Sequence, residues 1–208
     1  MPLKNKWVMD LQSLINQLQQ TEHGFTHIIK AGDTLLADAS IQHFDTALAL
    51  TDGESYQQRM LGPYLLGELS AKNNKALEVL KDKVSTDTNW RVQEMLAKAF
   101  DAYCAATGYE KALPVIKEWL ANDNPNVKRA VTEGLRIWTS RPYFKEHPET
   151  AIQLISEWKG HDSEYLRKSV GNSLRDIRKK HRALIDAETA TWNLSDTKTA
   201  FTYKLVTK

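Results

Sequence analysis

A single cysteine, Cys104, occurs among 208 residues. No disulfide can form within the chain, and a reducing, cytoplasmic setting is expected. Glycine is sparse: the nine glycines are isolated, and neither GxGxxG nor GxxxxGK(S/T) occurs, which excludes the phosphate-cradling loops of nucleotide-binding folds. The six histidines are scattered, without HExxH spacing or cysteine partners, so no metal is expected. No GxSxG elbow is present and Cys104 has no base in a recognisable pattern, which argues against a nucleophilic hydrolase. No apolar run approaches the roughly 20 residues of a membrane span. The opening stretch MPLKNKWVMDLQSLINQLQQ has no uninterrupted apolar segment and no small-residue cleavage site, so a secretory leader is not expected.

Charge of one sign is also lacking overall, at a formal +2, but it is unevenly distributed. Residues 1–104 carry 10 Lys/Arg against 13 Asp/Glu, and residues 105–208 carry 18 against 13. A basic half in a nearly neutral chain points to an anionic partner, nucleic acid first.

What the chain has in quantity is apolar residues at helical spacing. Residues 5–21 read as an amphipathic helix with Trp7, Leu11, Leu14, Ile15 and Leu18 as its stripe. Phe25–Leu36, Ile41–Leu50 and Tyr56–Leu69 read as further helices, with Gly62-Pro63 expected to kink or shorten the last. No convincing two-residue alternation precedes Thr199–Val206, and there a short terminal helix fits as well.

From Asn73 an internal repeat appears. NNKALEVLKDKVS, GYEKALPVIKEWL and HPETAIQLISEWK align, matching Ala76, Ala112 and Ala151, then Leu80, Ile116 and Ile155. Each is followed by a second segment, TNWRVQEMLAKAF, NPNVKRAVTEGL and SEYLRKSVGNSL, matching Val92, Val127 and Leu166, then Phe100, Leu135 and Leu174. The period is 35 to 39 residues, with two helices per unit. Such units bury their apolar faces only by stacking, which predicts an all-α fold: an α-solenoid, a right-handed superhelix of HEAT-like helix pairs. The expected organisation is one domain over 1–208, with N-terminal helices over 5–69, clear repeats over 73–181 and a C-terminal extension over 182–208. The expected form is a monomer. Trp119, Trp138 and Trp158 fall at core positions.

The segment Asp87–Tyr103 organises the rest. Asp87, Thr88 and Asn89 are N-cap candidates, and Val92, Leu96, Ala99 and Tyr103 form a core face flanked by Met95 and Phe100. Trp90, Glu94, Ala97 and Asp101 fall opposite. In the repeat register Glu94 corresponds to Arg129 and Lys168, and Asp101 to Arg136 and Arg175, so the second helices are expected to carry a largely basic row suited to a phosphate backbone.

Residues 127–181 resemble the HEAT-repeat DNA alkylation repair proteins of the AlkC/AlkD type, most specifically in EGLR at Glu133–Arg136, RKSVGN at Arg167–Asn172 and DIRKKH at Asp176–His181. NWRVQE resembles that family's catalytic helix, which carries a tryptophan with an acidic residue four positions later. The resemblance implies a DNA glycosylase that excises cationic N3- and N7-alkylated purines from double-stranded DNA, without metal or cofactor. It implies Trp90 as the active-site indole and Glu94 as the essential carboxylate, with Arg129 at a backbone-contacting position. Lys128, Arg136, Lys168, Asn172, Arg175, Arg178, Lys179 and Arg141 complete the expected DNA contacts. AlkD-type members carry a second tryptophan where this chain has Asn172, and AlkC-type members tend to have asparagine. Two other readings stay open: a DNA-binding relative without chemistry, since residues 1–50 hold no basic, aromatic-rich segment to grip a lesion, and a HEAT scaffold for a peptide.

Overall fold

The computed structural model describes residues 11–208, so Trp7 and the first half of the expected N-terminal helix lie outside the described residues. Thirteen α-helices and one short 3-10 turn are described, with no strand among the described residues. α1 (Leu11–Gln19) and α2 (Thr26–Leu36) precede a series of pairs: α3 (His43–Thr51) with α4 (Tyr56–Ser70), α5 (Asn74–Asp82) with α6 (Trp90–Thr107), and α7 (Leu113–Ala121) with α8 (Pro125–Trp138). A five-residue helix, α9 (Pro142–Glu146), intervenes before α10 (Pro148–Ser156) and α11 (Glu164–Arg178), and it accounts for the longer period of that unit. α12 (Arg182–Ala190) and α13 (Thr197–Val206) close the array.

The second helices form one continuous row, α4 on α6, α6 on α8, α8 on α11 and α11 on α13. The array therefore extends one pair beyond the sequence-evident repeats at each end. The weakly alternating Thr199–Val206 is helix, started by Asp196, whose carboxylate accepts from the Thr199 amide at 2.8 Å. The four apolar sets matched across the repeat are buried: Ala76, Ala112 and Ala151; Leu80, Ile116 and Ile155; Val92, Val127 and Leu166; Phe100, Leu135 and Leu174. Trp119 and Trp138 are core, while Trp158 is only partly buried.

Each second helix begins at a polar cap, which satisfies a terminal N–H that has no partner within the helix. Ser55 and Gln58 make a reciprocal capping box. Asn89, Asn124 and Ser163 accept from Arg91, Asn126 and Leu166. Asp87 is not the cap of α6; it receives Arg59 Nε at 2.7 Å and orients the cap residue by accepting from the Asn89 amide at 2.7 Å. α4 runs through Pro63 without ending. Gly67 lets α4 approach α6 closely, since a Cβ there would lie 2.6 Å from the Ala99 Cα.

A further register runs through the second helices. Arg59 donates to the carbonyls of Gly53 (3.1 Å) and Glu54 (2.8 Å). Gln93 donates to Val84 (3.2 Å) and Asp87 (2.6 Å), Lys128 to Leu120 (2.7 Å), and Arg167 to His161 (2.6 Å) and Asp162 (2.9 Å). These four residues occupy one repeat position. Each satisfies main-chain carbonyls left over where the first helix or its turn ends.

Candidate nucleic-acid interface

Trp90 is the first residue of α6 and remains 53% exposed. The Arg91 guanidinium carbon lies 4.6 Å from the Trp90 ring centre and 5.0 Å from that of Tyr56, and Arg91 Nη2 is 3.2 Å from His23 Nδ1. Arg91 thus makes a cation–π contact with the half-exposed indole.

One turn along α6, a Glu94 carboxylate oxygen accepts from Arg129 Nη2. The Arg129 side chain is only 7% exposed and reaches Glu133 at 3.5 Å. Its guanidinium carbon sits 4.4 Å from the Tyr165 ring centre. Tyr165, an exposed aromatic at the start of α11, joins this cluster although the sequence reading did not single it out. Burial raises its hydroxyl pKa; Arg129 opposes the shift, and Glu94 and Glu133 add to it. Glu133 also accepts from Ser169 at 2.8 Å and pairs with Arg136 at 3.1 Å. Thr132 and Ser169 hydroxyls are 2.6 Å apart, which ties α8 to α11 beneath the charges.

The groove between α6 and α8 is lined by three carboxylates, Glu94, Asp101 and Glu133, against two cations, Lys98 and Arg136, with Gly134 and the exposed Ile137 beside them. At this groove the lining is more acidic than the basic row expected across the second helices. The charges draw together in pairs, between helices for Arg136 with Asp176 at 2.8 Å and Arg178 with Asp186 at 2.7 Å, and along α11 for Lys168 with Glu164 at 2.7 Å and Lys179 with Asp176 at 2.7 Å. Arg141 reaches Asp101 at 3.2 Å. Asn172 is half-buried between Lys168 and Arg175 on one face of α11.

Lys128 stands apart from the other expected contacts. It is buried, with its ammonium on the Leu120 carbonyl and 3.6 Å from the Trp158 ring centre. Burial pulls its pKa below the usual lysine value, opposed by Asp123 and Glu157. Its cation serves the fold rather than a phosphate. Lys128→Ala should cost about 1–3 kcal/mol by leaving a buried carbonyl unpaired. A lowered Tm with an unchanged salt dependence of DNA binding would confirm that role.

Asp176 links α8 and α11. Burial raises its pKa, but the Lys179 hydrogen bond and the Arg136, Lys179 and Arg175 charges more than offset this, leaving it below the ordinary aspartate value. A depressed folded pKa gives stability that is present above the unfolded pKa and is lost as pH falls through the folded one. Asp176→Asn should therefore lower stability at neutral pH by on the order of 1 kcal/mol. The Tm difference from the native protein should vanish in acid melts once Asp176 is protonated.

A profile of the DNA alkylation repair enzymes matches residues 25–187, most of the chain. The chain belongs to that family. Among solved structures it is similar to AlkD2 from Streptococcus mutans, with 44% identity, a TM-score of 0.89, and 95% of this chain and 97% of that one covered. It is also similar to smu.31 from Streptococcus mutans UA159, at 42% identity and a TM-score of 0.87, with the same coverage. An alkylpurine DNA glycosylase, AlkC from Pseudomonas fluorescens, solved with DNA containing an abasic site analog, shares the fold at 20% identity and a TM-score of 0.71. That match covers 95% of this chain and 56% of AlkC. No curated protein matches. Within the family fold, Glu94, Arg129 and Tyr165 come together from three successive second helices. Among the described residues no helix is long and apolar enough to cross a membrane, and no three His, Cys, Asp or Glu side chains gather as a metal site.

Proposed function

We propose that the protein binds duplex DNA across the exposed side of its second-helix row and excises cationic alkylated purines, with Glu94 as the carboxylate and Trp90 as the stacking surface. Arg136, Lys168, Asn172, Arg175, Arg178, Lys179 and Arg141 remain as candidate DNA contacts, whereas Arg129, nearly buried between Glu94 and Glu133, acts through Glu94. The observation that carries the reading is the Glu94 carboxylate, held by a nearly buried guanidinium at an open groove rich in carboxylates, one turn from an exposed indole. An alkylated purine is positively charged and already a good leaving group. Cleavage of its C1′–N bond builds oxocarbenium character on the sugar, which a fixed carboxylate stabilises while it orients the attacking water. The aromatic face adds attraction for the cationic base. The test is release of free bases from methylated duplex DNA by the native protein, measured beside Glu94→Gln.

One observation favours a second reading, a DNA-binding relative without chemistry. The Arg129 guanidinium already partners Glu94, so part of the carboxylate's charge is neutralised before any substrate arrives. Duplex binding with no abasic product from methylated DNA would decide for it.

A further inference from the structure

Glu94 and Asp176 end a run of alternating charges that crosses the second-helix row. Arg136 Nε on α8 donates to Asp176 on α11 at 2.8 Å, and Arg136 Nη1 reaches Glu133, three residues back on its own helix, at 3.1 Å. Glu133 in turn stands 3.5 Å from Arg129 Nη2, and that same nitrogen donates to Glu94 on α6. Burial differs sharply along the run. The Arg129 and Glu133 side chains are 7% and 13% exposed, whereas Arg136 is 43% exposed at the groove. Of the two cations, Arg136 is the one open to an incoming anion.

One nitrogen of Arg129 thus faces two carboxylates, holding Glu94 closely and Glu133 loosely. The Tyr165 ring lies against the guanidinium, its centre 4.4 Å from the central carbon, and limits where that group can turn. Glu133 tolerates the longer contact because Arg136 and the Ser169 hydroxyl, at 3.1 and 2.8 Å, supply its other partners. A largely buried carboxylate that loses one cation pairs more closely with the next, since an uncompensated buried charge is costly.

We propose that Glu133 is a positioning residue for excision: it takes the Arg129 guanidinium from Glu94 when a duplex phosphate draws Arg136 away. The inference rests on the excision reading above and adds when Glu94 carries its charge uncancelled. In the free protein Arg129 fixes Glu94 and partly neutralises it. A phosphate competes with Glu133 and Asp176 for Arg136. Glu133 then closes on Arg129, which already stands within ion-pair range, and Glu94 is released to face the sugar. DNA favours this second arrangement because it binds Arg136 better once that side chain is withdrawn from Glu133. Negative charge is thereby delivered at the groove only with the substrate in place.

The test is single-turnover and steady-state base release from methylated duplex DNA by the native protein and by Glu133→Gln. The substitution keeps the side chain's size and an oxygen for Ser169, and removes the charge that attracts Arg129. It should lower kcat about tenfold. Duplex affinity should not weaken, since one negative charge fewer faces the phosphates. In a Glu94→Gln background the same change should cost less than about twofold, because Glu133 acts only through the charge on Glu94. Equal falls in both backgrounds would give Glu133 a role of its own and overturn the proposal, as would an unchanged kcat; either result leaves the excision reading in place. No release by the native protein overturns both. Should Glu133→Gln lose its helical circular dichroism, NMR of isotope-labelled arginine in the native protein carries the test. The Arg129 guanidinium signal, assigned from its absence in Arg129→Lys, should shift on saturation with a lesion-free duplex and stay in place when Arg136→Gln is saturated likewise. A signal that the duplex leaves unmoved in the native protein, or moves equally in Arg136→Gln, overturns the proposal.

Discussion

Glu94→Gln should lower base release from methylated duplex DNA by about 100-fold or more, equivalent to roughly 2.7 kcal/mol of transition-state stabilisation. Affinity for the same duplex should stay within about twofold. The substitution keeps the size of the side chain and an oxygen to accept from Arg129, so the groove retains its shape while the negative charge is removed. If the carboxylate acts on the charge that develops at C1′, the loss falls on kcat and spares binding, because the ground-state DNA places no comparable positive charge on the sugar. A drop in affinity with kcat unchanged would make Glu94 a binding residue. Equal release by both proteins would remove Glu94 from the mechanism. No release by the native protein, with duplex binding intact, would support the reading without chemistry.

Arg129 gives this experiment its interest. A guanidinium held between Glu94 and Glu133 and against Tyr165 has little freedom to follow a phosphate, so its effect on catalysis passes through the position and charge of Glu94. Arg129 thus opposes the charge it fixes in place. A catalytic carboxylate needs both a defined position and residual negative charge, and the free-base assay measures how that balance falls.

Most of the fold was legible because the repeat exposes it three times. Apolar residues at matched positions could be assigned to the core without tertiary information: the four aligned sets are buried, while Trp158, also placed in the core, is only partly buried. The register also placed Glu94 in line with Arg129, and the two side chains meet. What the register did not convey was the partner of each cation. Arg136, Lys168 and Lys179, expected as DNA contacts, each have an acidic residue three or four positions away in sequence, and the pairs form. That spacing was visible and was the missed signal. Lys128 was harder to place. Whether a helical residue faces the DNA side or its own pair depends on how the two helices are set against each other, and a basic side chain at that boundary fits either pattern. The column Arg59, Gln93, Lys128 and Arg167, polar donors in register, was the only clue to its inward direction. Tyr165 left no comparable trace, since its place is defined by Arg129 on another helix.

Trp138→Ala should be the most damaging single change to stability, at about 3–5 kcal/mol, lowering Tm by roughly 10 °C for a chain of this length. Trp138 is fully buried at the end of α8, with ring centres of Tyr109 at 5.3 Å and Phe144 at 5.5 Å. Its Nε1–H donates to an Asp101 oxygen at 2.6 Å, and the same carboxylate receives the Tyr109 hydroxyl at 2.8 Å and Arg141 at 3.2 Å. Losing the indole opens a cavity and loosens the Asp101 cluster at the edge of the α6–α8 groove, so Arg141 also loses its fixed position. Trp138→Phe keeps most of the packing and removes one donor, and should cost about 1–2 kcal/mol. Gly134 supplies an internal control. A Cβ there would lie 2.6 Å from Trp138 Cζ2, so Gly134→Ala in the native background should cost about 1–3 kcal/mol through overpacking. With Trp138 already replaced by alanine the obstruction is gone, and the same change should instead stabilise α8 by up to about 1 kcal/mol through helix propensity. Thermal melts of the two single variants and the double should therefore show a Tm for the double at or above that of Trp138→Ala. A strictly additive loss would mean that the indole does not occupy the space over Gly134, and with it would go the account of how Asp101 is held at the groove.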